Sequence, residues 1–117
     1  MTERWRPIPE FGGKYEVSTH GRVRRLYYRQ RKGNPASKLL RPGANSSGHL
    51  FVYLGRGRKR YVHRLVLTAF RGACPPGKES LHRDGVPANN YLRNLRWGTR
   101  SENLLDDYRR HGKRRRR

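Results

Sequence analysis

Cysteine is nearly missing from this chain. Cys74 stands alone, which excludes an intramolecular disulfide and any zinc cluster built on cysteine pairs, so no structural zinc is expected. Acidic residues are scarce too, with 8 Asp and Glu against 29 Lys and Arg. No stretch approaches the roughly 18 consecutive apolar residues of a membrane helix. The opening residues Met1 to Trp5 lack the apolar segment of a secretion signal. An intracellular protein with no membrane partner is the expectation. Apolar residues make up only 32% of the 117 and mean hydropathy is −1.14, so the core must be thin. That length suits one domain, or one small core with an appended arm.

What the chain has in excess is positive charge. The formal net charge is +21 and the isoelectric point is near 11.6. Self-repulsion on that scale penalises compaction unless a polyanion neutralises it. Basic residues spread along the whole length point to a nucleic acid.

Tyr15-Glu16-Val17 and Arg22-Val23-Arg24 alternate as strands do, and Ser18 to Gly21 supply the turn between them. With Val23 facing inward, Arg22 and Arg24 share the opposite face. Together with Arg25 they would offer guanidinium groups to phosphates or guanine edges. Trp5, Phe11 and Tyr15 read as core rather than base-stacking residues. Residues 29–48 read as loops around a short strand at Lys38 to Arg41. Leu50 to Leu54 and Lys59 to Val62 form a second hairpin across Gly55 to Arg58, where glycine tolerates the positive φ of a tight turn. Its cationic tip (Arg56, Arg58, Lys59 and Arg60) suits backbone phosphates. His49 has no evident partner and reads as a strand-edge residue. From His63 the period changes: Leu65, Val66, Ala69 and Phe70 fall on one helical face, and Gly72 and Pro75-Pro76 end it. His63 reads first as a core buttress at the helix start, with an accessory active-site role as the other reading.

The most informative stretch runs from Lys78 to Asn103. A short strand ends at His82, and a turn-rich loop passes from Asp84-Gly85 to Asn89-Asn90. A second short run, Leu95-Arg96-Trp97, leads into Thr99-Arg-Ser-Glu102. That tetrapeptide has the form of a capping box, so it predicts a helix beginning at Thr99. The helix should run to about Arg110, with Leu104, Leu105 and Tyr108 as its packing stripe and Gly112 as its terminator. The residues beyond form a like-charge block, read as a flexible tail that adds salt-sensitive affinity.

At these residues the chain resembles the HNH nucleases, in the variant whose last signature residue is Asn. His82, Asn94 and Asn103 look like the three signature positions. The words His82-Arg-Asp-Gly85, Asn89-Asn90, Asn94-Leu-Arg-Trp97 and Val62-His-Arg-Leu-Val66 agree in order. The similarity is to the phage homing-endonuclease type, and Trp5, Pro7-Ile-Pro9, Tyr15 to Ser18 and Gly21-Arg-Val23 resemble its N-terminal DNA-binding module. The resemblance implies an α+β fold: a β-hairpin-rich part over residues 1–58, a ββα-metal core over 59–110 and a basic tail over 111–117. It further implies a metal-dependent DNA endonuclease acting on double-stranded DNA. His82 would be the general base, since an imidazole with pKa near ~6.5 is largely neutral at pH 7. Asn94 would pin the loop and keep His82 oriented. Asn103 would offer a hard oxygen to a divalent ion, Mg²⁺ or Mn²⁺. Arg83 and Arg96 flank the site as further phosphate contacts. A monomer is expected to nick one strand, a dimer to cut both, leaving 5′-phosphate and 3′-hydroxyl ends.

One position departs from the pattern. Relatives place Asp, Asn or His just before the general base as a second metal ligand, and here that residue is Leu81. Either a single-ligand site holds the ion through Asn103 and DNA oxygens, or another oxygen substitutes; Asp84 is a candidate, although its Asp-Gly context reads first as a turn. The alternatives are an HNH-fold DNA-binding protein that has lost catalysis, and a basic RNA- or ribosome-associated protein.

Overall fold

The computed structural model describes residues 2–27 and 36–111. Among them, β1 (Trp5–Pro7), β2 (Tyr15–Ser18), β3 (Val23–Tyr27) and β4 (Ala36–Leu39) form one antiparallel sheet in chain order. A second sheet holds β5 (Gly43–Ala44), β6 (Leu50–Tyr53) and β7 (Lys59–Tyr61), and leads into α1 (Val62–Arg71). The hairpin of β8 (Glu79–His82) and β9 (Leu95–Gly98) follows, then α2 (Arg100–His111). Among the described residues no helix is long and apolar enough to cross a membrane.

The β2–β3 hairpin forms where alternation placed it, with Tyr15, Val17, Val23 and Leu26 buried. Its turn is tied by the Ser18 hydroxyl, which accepts from the N–H groups of His20 and Arg22. This turn docks on the loop before β9. The Thr19 carbonyl accepts from Leu92 N–H at 2.8 Å, and the His20 and Tyr91 rings stack at 4.6 Å. Gly21 has φ +82°, and a Cβ there would meet Asn90 at 2.8 Å, so only glycine lets the two segments approach so closely.

α1 ties both halves into one core. Val62, Leu65, Val66 and Leu67 are buried with Ile8, Tyr15 and Val17 of the N-terminal part, Val52 and Leu54 of the second hairpin, and Leu92 and Leu95 beside the last one. Burying each such side chain contributes roughly 1.5–3 kcal/mol. A basic chain with few apolar residues therefore concentrates most of them on one helix and its neighbours.

Three expectations need correction. The strand read at Lys38–Arg41 lies at Ala36–Leu39, because its register on β3 pairs Tyr27 with Ala36 and Arg24 with Leu39. β5 went unread, since two residues carry no period. The stripe of Leu104, Leu105 and Tyr108 is not a packing face: the three are 62%, 51% and 49% exposed. α2 holds to the hairpin through its first turn, and Leu104, Leu105 and Tyr108 beyond it stand exposed. The capping box itself forms: Thr99 N–H donates to Glu102 Oε1 at 2.7 Å, and Glu102 N–H donates to Thr99 Oγ1 at 3.1 Å. Gly112 and the rest of the basic tail lie outside the described residues.

Candidate active site

His82 is the last residue of β8, opposite Leu95. Side chains alternate along a strand, so Glu79 and Leu81 share one face while Ser80 and His82 share the other. The first face meets α2: a Cβ on Gly98 would lie 2.5 Å from Leu81 Cδ1 and 2.9 Å from Glu102 Oε1. On the second face His82 meets α1, its ring 5.2 Å from that of His63.

His82 Nε2 lies 2.9 Å from Oδ1 of Asn90, itself 3% exposed. An amide oxygen only accepts, so with the Asn90 amide in this orientation the neutral ring carries its proton on Nε2 and leaves the lone pair on Nδ1. His49 stands 5.6 Å from His82 and 5.2 Å from His63, centroid to centroid. His49 does lie at the edge of β6, but the expectation that it has no partner is corrected: its ring belongs to a three-imidazole cluster, formed by a long-range contact that local pattern does not carry. Burial pushes the His82 pKa below its ordinary value and the His49 ring adds to this, against the opposing pull of Asn90, Asp84 and the Pro87 backbone. His63 is driven down to about 3, first by burial and then by His82, His49 and Arg64.

The loop between the strands is pinned by Asn94. Its Oδ1 accepts from Asp84 N–H at 3.1 Å, and its Nδ2 donates to Asp84 Oδ1 at 3.0 Å and to the Asn89 carbonyl at 2.8 Å. The Asn94 carbonyl accepts from Arg83 N–H at 2.8 Å, just beyond His82. Asp84 also accepts from Val86 N–H at 2.8 Å and from Asn89 Nδ2 at 2.7 Å. Oδ1 thus accepts from Val86 and Asn94 and Oδ2 from Asn89, so the carboxylate serves the turn that its Asp-Gly context predicts.

Asn103 lies in the first turn of α2. Its Nδ2 donates to Glu79 Oε2 at 3.2 Å, so it sits beside Glu79. Its Oδ1 and the Glu79 carboxylate are hard oxygens on neighbouring side chains, a donor set that fits Mg²⁺ or Mn²⁺ with water or substrate completing the shell. Among the described residues no three His, Cys, Asp or Glu form a group that could hold a metal. Leu81 is 2% exposed and offers no donor. Sequence reasoning missed Glu79, yet its place two residues before Leu81 on the same strand face was the available signal. It also gave Asn90 no role of its own, because which loop amide reaches His82 depends on the loop's path.

The cationic residues fall into two groups. Arg22 is ion-paired and hydrogen-bonded with Glu3. Arg24 pairs with Glu16 at 2.6 Å and lies 3.9 Å above the Trp5 ring. Arg25 donates to the Tyr15 hydroxyl at 3.2 Å, Arg60 bonds Glu10 through two nitrogens at 3.0 and 3.1 Å, and Arg96 lies 3.7 Å from Glu102. Arg56, Arg58 and Lys59 instead stand exposed at the β6–β7 turn, with Lys59 Nζ 4.2 Å above the Phe51 ring. Arg83 is exposed beside His82.

Comparison with known proteins agrees with this geometry. Residues 60–105 match the HNH endonuclease family model, and residues 3–54 match the NUMOD4 motif. The DNA endonuclease I-HmuI of Bacillus phage SP01 is 33% identical over 103 residues, covering 86% of this chain and 55% of that protein. An uncharacterized HNH endonuclease of Acanthamoeba polyphaga mimivirus is 33% identical over 110 residues, covering 88% of this chain and 25% of that one. A solved structure of DNA binding and cleavage by the HNH homing endonuclease I-HmuI is similar with TM-score 0.70 and 30% identity, over 92% of this chain and 59% of that one. The chain thus spans about half the length of the phage relative and a quarter of the mimivirus one. The expected α+β class, with N-terminal hairpins ahead of a ββα region, is the fold of that structure.

Proposed function

Because the chain carries an HNH endonuclease domain behind a NUMOD4 motif, we propose that it is a metal-dependent DNA endonuclease that hydrolyses one strand per active site. The observation that carries this reading is the anchored imidazole of His82. With Nε2 held by Asn90, Nδ1 is the basic nitrogen, and it takes the proton from a water attacking phosphorus. The loop fastened by Asn94 keeps the ring at the strand end. Glu79 and Asn103 are the residues that would hold the divalent cation, whose chemistry when bound is to stabilise negative charge at phosphate and leaving oxygens. Arg83 and the exposed tip of Arg56, Arg58 and Lys59 hold the DNA backbone by charge. Arg22, Arg24, Arg25, Arg60 and Arg96 bring guanidinium groups whose orientation is set in advance by Glu3, Glu16, Tyr15, Glu10 and Glu102.

A second reading, a DNA-binding HNH fold without catalysis, is favoured by Leu81 where relatives carry a ligand. Incubation with supercoiled plasmid in Mg²⁺, Mn²⁺ or EDTA decides between them. Cation-dependent conversion to open circles, resealable by DNA ligase and abolished in His82→Ala, supports the nuclease. Tight binding with no conversion supports the binding protein. A preference for structured RNA over duplex DNA removes both.

A further inference from the structure

We propose that His49 and His63 are positioning residues for His82, so that the NUMOD4 segment contributes a ring to the active site of the HNH domain. The inference rests on the nuclease reading for its catalytic meaning, but on geometry for its structure. Three imidazoles, from the β5–β6 loop, α1 and β8, lie within 5.2 to 5.6 Å of one another. Each is held by its own support. The His49 backbone is fixed twice by Asn45: its N–H donates to Asn45 Oδ1 at 3.0 Å, and its carbonyl accepts from Asn45 N–H at 3.0 Å. His63 sits in the first turn of α1, 7% exposed, with the Tyr61 ring 5.7 Å away. His82 is tied to Asn90.

Mere filling of the core is a poor account of this cluster. Buried polar atoms are normally hydrogen-bonded, yet His63 Nδ1 is buried with no partner among the described residues. A phenylalanine would fill that space without stranding a nitrogen. What a histidine cluster adds is chemical. A proton on any one imidazole makes a charge on its neighbours unfavourable, and Arg64 adds to this at His63. Arg83 follows His82 directly in the chain, and Asp84 is the acidic group acting the other way. DNA phosphates near the site would raise the pKa of His82 and remove its lone pair. His49 opposes that pull, and the rings of His49 and His63 together wedge the His82 ring so that Nε2 stays on Asn90.

The test is ring ¹⁵N NMR of the full chain, free of metal and DNA, for wild type, His49→Phe, His49→Ala and His63→Ala, beside nicking rates for each. The expected wild-type result is a single Nε2–H tautomer of His82 titrating below the ordinary histidine range. His49→Phe should keep that tautomer while moving the titration midpoint up, because a ring remains and an imidazole is gone. His49→Ala should populate both tautomers and lower kcat about tenfold to a hundredfold at unchanged KM, the scale of a misplaced catalytic group. Unchanged thermal melting would exclude unfolding as the cause, and His63→Ala repeats the tautomer test from the other neighbour. Variants that fold and leave the tautomer and midpoint of His82 at wild-type values overturn the proposal. A wild type that nicks nothing yet shows the anchored tautomer and its shifts would sink the nuclease reading while upholding the ring arrangement.

Discussion

His82 has to keep a lone pair in a place meant for phosphates, and its surroundings bear on that requirement. Its pKa lies below the ordinary histidine value, chiefly through burial. The acid limb of a kcat/KM profile should therefore fall below pH ~6.5, with activity flat through neutral pH. His82→Ala should lower turnover by about 10²–10⁴-fold, the usual share of a general base, with DNA affinity unchanged in a gel-shift titration. His63 makes a second prediction. Its folded pKa of about 3 lies below the unfolded value near ~6.5, so the unfolded chain takes up the proton first. Stability is then complete above pH ~6.5 and declines as pH falls toward 3, by an amount on the order of a few kcal/mol. Urea unfolding at several pH values should show that slope in wild type and a shallower one in His63→Phe. At this scale the pinning of the loop by Asn94 was legible from its place among spaced words. Glu79, Asn90 and His49 were not, since their partners are set by how strands and loops meet in space.

Between elements, the docking that matters most is that of the β2–β3 turn on the loop ahead of β9. Thr19 accepts from Leu92, His20 stacks on Tyr91, and Gly21 abuts Asn90, whose amide holds His82. Gly21→Ala would place a methyl 2.8 Å from the Asn90 carbonyl oxygen at φ +82°. Both the strain and the clash predict a loss of about 1–3 kcal/mol and a displaced Asn90. Chemical denaturation reads the first, and the His82 ring resonances read the second. On the other face, Glu79→Gln should raise the Mg²⁺ concentration for half-maximal nicking about tenfold by removing a ligand charge, whereas a Glu79 without a part in cation binding would leave that titration curve in place. Strands β2, β3, β6 and β7, and the start of α2, were readable because alternation, glycine turns and a capping box are local signals. β5 and the bare stripe of α2 were not. Whether an apolar stripe finds a partner is decided by where the helix projects, not by its own period.

For the whole molecule, a charge of +21 makes salt the natural probe, but not every arginine should count equally. Arg24 already faces Glu16 at 2.6 Å and rests on Trp5, so much of its field is cancelled before DNA arrives. Arg56, Arg58 and Lys59 project from the β6–β7 turn without a carboxylate ion pair among the described residues. If the tip meets phosphates, replacing these three by alanine should flatten the slope of log affinity against log salt by about 0.9 for each phosphate that the wild-type tip neutralises. Arg24→Ala should change that slope much less, because its charge is already spent on Glu16. Its cost should appear instead in stability, through the uncovered Trp5 ring. Binding curves on one duplex between low and moderate salt separate the two. Equal slopes for the triple variant and wild type would remove the β6–β7 tip from the DNA-facing surface.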